Sequence, residues 1–327
     1  MPTVAITGGT GFIGSHTVEE FIRLGFHVRC LIRPRRNGIG WLKNLPAEII
    51  ETNFSHAATL ARHVHGADYV VHVAGTTRGR RRKDFFRGNV EVTANLLDAC
   101  RKAGGVKKFC YLSSLTAVGP SPEGKPVDET APCRPITSYG ESKLEAERVC
   151  MRFSQDIPVV VIRPPAVYGP RDSDILDMFR WISFGLVPVI GSPNKTLSLV
   201  YAPELARAIG IATVSEKTKG ETYFVADAEQ YGFSALVDIA AGLLGKSAFR
   251  LPLPTSLVYS IAAATQAVSW ILPKPSVVNI DKVKDLLTPH WVCDPAKFQK
   301  ELGFTTMVKA EEGLRRTLDW YREQKWL

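Results

Sequence analysis

Short apolar runs alternate with longer stretches of mixed character along the first part of the chain. The runs at 4–6, 28–32, 69–73, 109–112 and 159–162 are rich in Val, Ile, Leu, Phe and Tyr. Their length and nearly unbroken apolar character predict strands buried on both faces. Between them, 13–24, 60–64, 90–103 and 139–153 read as amphipathic helices. Strand and helix in alternation predict βαβ units with right-handed crossovers. The fold class expected is therefore α/β, a Rossmann-type doubly wound parallel sheet. The regularity ends at Tyr168-Gly169-Pro170, beyond which Pro188, Pro193 and Pro203 interrupt the pattern. The expected division is a sheet domain over 1–170 and a smaller lobe over 171–327, some of whose segments return to the sheet. Such a lobe would lie over the C-terminal ends of the strands, where open α/β sheets bind ligands.

The first strand runs directly into Thr7-Gly8-Gly9-Thr10-Gly11-Phe12-Ile13-Gly14. Gly8 permits a tight turn, Gly11 lets backbone N–H groups approach a phosphate, and Gly14 allows close helix–strand packing. The helix that follows, opening with Phe12 and Ile13, presents its positive dipole end to an anion. Glycine turns alone are common. Between a strand and a helix at the start of a βαβ unit, this one predicts a dinucleotide pyrophosphate site.

The second strand ends differently from that of a typical NAD-binding unit. There an acidic residue accepts hydrogen bonds from the ribose 2′-OH; here Ile32 and Arg33 occupy the place, with Arg35 and Arg36 following. Guanidinium groups suit a 2′-phosphate in charge and forked geometry. The cofactor expected is NADP, with NAD as the alternative, and Arg33 and Arg36 as its ligands.

Ser113-Ser114 closes the fourth predicted strand, and Tyr139 lies four residues before Lys143 in YGESK. That spacing puts phenol and ammonium on one helix face. A phenol with a pKa near ~10 is a poor acid–base group at neutral pH. A nearby cation favours the phenolate. Ser114 can orient a substrate oxygen.

With these features together, the chain resembles the extended short-chain dehydrogenases/reductases, of the NAD-dependent epimerase/dehydratase family and its dihydroflavonol-reductase and 3β-hydroxysteroid-dehydrogenase-like branches. The motifs that carry the resemblance are TGGTGFIGS (7–15), ADYVVHVAG (67–75), NVEVTANLLDA (89–99), YLSSLTAVG (111–119), YGESKLEAE (139–147), RPPAVYGP (163–170) and ELGF (301–304). The resemblance implies Tyr139 as general acid/base, Lys143 as its pKa modulator and ribose ligand, and Ser114 as the substrate-orienting hydroxyl. It places Asn53 and Phe54 near the adenine, although the family has Asp where this chain has Asn53. It lines the cofactor with Val73, Ala74 and Gly75, and brings Pro164 and Val167 to the nicotinamide amide. It also implies a homodimer built on the helices at 90–103 and 144–151. Family membership does not fix the reaction. Dehydratases follow the catalytic hydroxyl with an Asp-Glu pair; here Leu115 and Thr116 stand there. The activity expected is hydride transfer between nicotinamide and a carbonyl or alcohol carbon of a small or apolar substrate. A nucleotide-sugar epimerase and a non-catalytic NAD(P)-binding sensor or structural subunit are the alternatives.

Composition refines this picture. Hydrophobic residues at 45% and charged residues at 22% exclude a disordered or fibrous chain. The six cysteines form no C-x-x-C pair and the histidines are scattered, so neither a disulfide framework nor a metal site is expected. A strand beginning at Val4 leaves little room for a leader, and a cytoplasmic protein is the expectation. The net charge of +9 includes the basic run at 78–83, read as a solvated loop rather than a nucleic-acid site. The most apolar stretch, 255–272, is shorter than a membrane span and carries several hydroxyls. It is expected to be a buried or groove-lining helix, with no stable membrane insertion.

Overall fold

The computed structural model describes residues 1–34, 38–271 and 280–327, the side chains at 267–271 and 280 excepted. Six strands of the first part of the chain are β1 (Thr3–Thr7), β2 (His27–Ile32), β3 (Glu48–Glu51), β4 (Tyr69–His72), β5 (Lys108–Leu112) and β6 (Val159–Arg163). They are connected through α1 (Phe12–Arg23), α2 (Ala57–Val64), α3 (Arg82–Phe86), α4 (Val92–Ala103) and α5 (Ser138–Phe153). Further along come β7 (Ala166–Tyr168), α6 (Asp174–Ser183), β8 (Leu186–Ile190), β9 (Thr196–Tyr201), α7 (Ala202–Val214) and β10 (Glu221–Phe224). The rest comprises β11 (Gln230–Gly232), α8 (Phe233–Leu244), β12 (Phe249–Leu253), α9 (Thr255–Ile271), α10 (Ile280–Leu287), β13 (His290–Trp291), α11 (Ala296–Leu302) and α12 (Ala310–Glu323).

The main sheet has seven strands in the order β3-β2-β1-β4-β5-β6-β10, all parallel. Successive side chains of a strand point to opposite faces. Val4 and Ile6 accordingly join a core with Phe21 of α1, Ile209 of α7 and Phe298 of α11. Ala5 lies in the other core, with Leu60 of α2, Leu97 of α4 and Val149 of α5. Both faces are covered, which is why the central strands read as continuous apolar runs. The five predicted strands and four predicted helices are all present.

The two edge strands escaped sequence reading. Both carry carboxylates, Glu48 and Glu51 in β3 and Glu221 in β10. Charge at a sheet edge discourages pairing with another chain, and it hides the strand from an apolar-run criterion. Through β10, α7 and α11 the second half of the chain returns to the sheet. Its other elements build a separate core from Phe179, Leu236, Leu314 and Tyr321. There β9 pairs with β7, β11 and β13, while β8 and β12 form a two-stranded parallel ribbon.

The expectation of a buried helix at 255–272 needs correction. Among the described side chains of α9, Val258 and Ala262 are buried against Val283 of α10, whereas Leu257, Tyr259 and Ile261 are exposed. Among the described residues the helix packs on α10 and the β8–β12 ribbon along one stripe, and its outer face is exposed. Residue 272 lies outside the described residues.

One polar node ties α5, β5 and β6 together inside this apolar frame. The Glu147 carboxylate accepts from Arg163 Nε at 3.0 Å and Nη2 at 2.7 Å, and from the Ser113 hydroxyl. Both charged side chains are 7% exposed. Removing one partner of such a pair leaves an uncompensated buried charge, at a cost of about 3–5 kcal/mol. Glu147→Gln is therefore expected to lower the urea midpoint by that amount of stability at unchanged m-value; a loss below about 1 kcal/mol would mean that the pair contributes no more than an exposed one.

Candidate active site

The turn from β1 to α1 is built on close approach. Gly8 adopts φ +79°, and a Cβ there would lie 2.6 Å from Ala74 N. A Cβ at Gly14 would lie 2.0 Å from Gly8 O. Only hydrogen fits in either place, so helix and strand ends pack as the phosphate-binding turn requires. Gly11 caps α1 without a side chain, and the first turn carries no acidic residue. Its free N–H groups and dipole therefore face the cleft uncompensated. That cradle fits a dinucleotide pyrophosphate.

The cleft above the strand ends has a volume of about 1080 Å³. Gly8, Gly11, Phe12, Ile13 and Gly14 form one wall, with Val73, Ala74 and Gly75 beside them. Arg33, exposed at the end of β2, and the buried Phe54 lie at the far end, and Val167 and Tyr139 at the near one. Several expected residues sit elsewhere. Asn53 is exposed and accepts from Ser55 N at 3.1 Å, closing its own turn rather than facing the cleft. Pro164 is buried behind the lining and receives the Leu115 N–H at 2.8 Å. Arg36 lies outside the described residues.

Tyr139 stands in the first turn of α5, whose N-cap Thr137 accepts from Gly140 N at 3.1 Å. Its phenol lies beside the Ser114 hydroxyl and packs edge-on to Phe85, with ring centroids 6.3 Å apart. Burial pushes the phenol up to about 12; the Ser114 hydroxyl opposes the rise and the Asp285 carboxylate adds to it. The Ser114 hydroxyl also accepts from Thr116 Oγ1 at 2.9 Å. Lys143 lies one turn below Tyr139, almost fully buried. Its ammonium donates to Leu112 O and sits 4.4 Å from the centre of the Tyr111 ring. Burial brings it down to about 8, against the pull of Glu147. The helix thus puts Tyr139 and Lys143 one turn apart, Tyr139 beside Ser114 and Lys143 turned to Leu112 and Tyr111. Tyr139 reaches the cleft surface; Ser114 and Lys143 stand behind it.

Sequence reading missed the groups that hold this arrangement. Asn89 accepts from Thr76 N at 2.6 Å and donates to Thr76 O at 3.1 Å and Ser142 Oγ at 2.8 Å. It sits in a π-turn at 87–91 ahead of α4, a distortion common near functional sites. His72 bridges Thr7 Oγ1 at 2.6 Å and Thr93 Oγ1 at 3.0 Å. Burial, reinforced by the positive charges of Lys143 and Arg33, lowers it to about 3, so it is neutral at pH 7. Arg171 was missed too. It adopts φ +76°, donates to Ser15 Oγ at 2.9 Å, and lines the cleft beside the first turn of α1. A non-glycine residue held in the left-handed region stores strain that recurs at functional sites.

The remaining cleft wall comes from the second half of the chain. Met178 and Trp181 of α6, Val187 and Pro188 of β8, and Leu286 of α10 supply apolar surface. Asp281 accepts from the Ser138 N–H at 3.1 Å, docking α10 on the start of α5. Asp285 lies a turn further on. Its Oδ1 is buried with no hydrogen-bond partner, and burial raises its carboxyl to about 6.

A glycine turn shaped for pyrophosphate and a tyrosine–lysine helix beside it define a dinucleotide-dependent enzyme with a proton-transfer group at the cofactor cleft. The profile of the NAD dependent epimerase/dehydratase family matches residues 4–226, and the chain belongs to that family. Among its relatives are a ceramide reductase of Caulobacter vibrioides, 26% identical over 99% of this chain and 96% of that protein, and a decarboxylating sterol-4-alpha-carboxylate 3-dehydrogenase of Saccharomyces cerevisiae, 28% identical over 98% of each. The fold is also that of the Thermotoga maritima UDP-glucose 4-epimerase, with a TM-score of 0.82 at 24% identity over 99% of both chains. The protein is an NAD(P)-dependent oxidoreductase of the short-chain dehydrogenase/reductase type.

The geometry of the turn predicts a sharp sensitivity. Gly8→Ala meets backbone at 2.6 Å in a left-handed conformation, so dinucleotide affinity, followed by nucleotide fluorescence, is expected to fall about a hundredfold or more. Binding within a factor of about three of the unsubstituted protein would show that the turn does not hold the cofactor.

Proposed function

We propose that the protein is an NADP-preferring reductase or dehydrogenase that moves a hydride between nicotinamide C4 and the carbonyl or carbinol carbon of an apolar, lipid-like substrate. The observation that carries this reading is the placement of Tyr139, beside Ser114, against a cleft whose outer wall is Met178, Trp181, Val187 and Leu286. The bound nicotinamide supplies or accepts the hydride. In the reducing direction Tyr139 gives its phenolic proton to the substrate oxygen, and Ser114 orients that oxygen by a hydrogen bond. Lys143, buried behind Tyr139 close to Gly75 of the cleft wall, would hold the nicotinamide ribose. The raised pKa of the free phenol means that it starts protonated, as a general acid must.

Arg33 supports the NADP preference: it faces the cleft at the end of β2, next to the apolar Ile32. Arg171 lines the cleft beside the first turn of α1, paired with Glu19, and would meet the pyrophosphate from there. The relatives named for reducing or oxidising a ceramide and a sterol agree with the apolar wall. We further read the chain as a cytoplasmic homodimer joined through α4 and α5, with the lobe beyond residue 170 shaping the substrate end of the cleft.

Two measurements test the reading. Tyr139→Phe is expected to lose about 10²–10⁴ in kcat while NADPH binding is retained; activity that survives intact would refute Tyr139 as the acid. KM for NADPH is expected to be about tenfold or more below that for NADH, and Arg33→Ala to erase most of the difference. A clear NADH preference would contradict the cofactor assignment.

A further inference from the structure

Large apolar side chains exposed among the described residues concentrate between 181 and 261. Phe184 is 81% exposed and Phe249 66% exposed, with Leu251, Leu257, Tyr259 and Ile261 also in solvent. The first of these lie side by side. Phe184 follows the end of α6, and the Phe249 N–H donates to Gly185 O at 2.9 Å. From there β12 runs parallel to β8, Leu251 opposite Pro188. Beyond Pro254 the chain enters α9, whose seventeen residues include no charged side chain. Its inner stripe, Val258 and Ala262, is occupied by α10. The outer stripe, with Leu257 and Ile261 one turn apart, is exposed and has no partner among the described residues. A contiguous apolar patch on a water-facing helix and edge strand marks an interaction surface.

We infer that this face docks the enzyme on an anionic phospholipid bilayer, with Phe184, Phe249 and the outer stripe of α9 seated among the acyl chains and headgroups. The inference deepens the reading of an apolar substrate and rests on it for the purpose of the contact. Three features favour a bilayer as the occupant. The rim carries three cations, Arg180, Lys246 and Arg250, against two carboxylates, Asp177 and Asp238, which pair with Arg180 and Arg250. The whole chain carries +9, which attracts it to an anionic surface. The patch is also continuous with the substrate end of the cleft: Trp181, Val187 and Pro188 line the cavity from the same α6–β8 segment that carries Phe184. An apolar molecule leaving the membrane at this face would meet the substrate end of the cleft. No described helix is long and apolar enough to cross a membrane, so the contact is interfacial, with aromatic rings at the headgroup level.

The test is flotation of the full chain with vesicles of phosphatidylcholine and phosphatidylglycerol, beside vesicles of phosphatidylcholine alone. The protein should float with the anionic vesicles and less so with the neutral ones or at high salt. The double variant Phe184→Ser/Phe249→Ser should partition about tenfold or more weakly while keeping turnover of a short, water-soluble ketone. A wild-type chain that stays in solution, a double variant that floats equally well, or a dimer in sedimentation that these two substitutions dissolve would overturn the inference. Flotation is read without turnover, so failure of the proposed chemistry and failure of the docking surface are seen separately.

Discussion

The site depends first on how closely three pieces of backbone pass one another. The turn after β1 sits against the end of β4 on one side and the first turn of α1 on the other, with room at Gly8 and Gly14 for hydrogen alone. That proximity aims the start of α1 at the centre of the sheet, where the strand order reverses between β1 and β4. An anion placed there meets backbone donors and a helix dipole at once. The position of the pyrophosphate in turn fixes where a nicotinamide can reach, and the group waiting at that end of the cleft is Tyr139.

Holding a phenol and an ammonium in register beneath that cleft demands buried polar structure, and the molecule supplies it as hydrogen-bonded networks, although Arg163 Nη1 has no partner among the described residues. Glu147 and Arg163 neutralise each other below the α5–β6 contact, with Ser113 as a third member. The same carboxylate lies near enough to Lys143 to oppose the loss of its proton. Along the other side, Thr7, His72, Thr93 and Asn89 link β1, β4 and the π-turn before α4. These networks act on Tyr139 through the elements they lock in place, since none of their side chains forms the cleft surface.

Much of this was legible in the sequence because it follows from local chemistry. Glycine spacing, the Tyr139–Lys143 interval and the apolar central strands each report a short-range constraint, and all three have their expected geometry. What stayed hidden is set by tertiary context. The edge strands β3 and β10 carry glutamates, so no apolar run announces them. Asn89 and Asp285 acquire their meaning from elements tens or hundreds of residues away. Asn53, given a place near the adenine by family likeness, closes a local turn through Ser55 instead. The stretch beginning at Thr255 has the composition of a buried helix, yet only one stripe of α9 finds a partner. Burial is a property of the packed neighbours as much as of the helix itself.

The central claim is that Tyr139 serves net hydride transfer to or from an apolar substrate. Its most direct test is to follow NADPH deuterated at nicotinamide C4 through incubation with a long-chain ketone and, separately, with UDP-glucose. The account predicts stoichiometric loss of NADPH absorbance with the ketone and deuterium at the new carbinol carbon. Inertness towards the ketone, together with interconversion of the nucleotide sugar and no net consumption of cofactor, would contradict it.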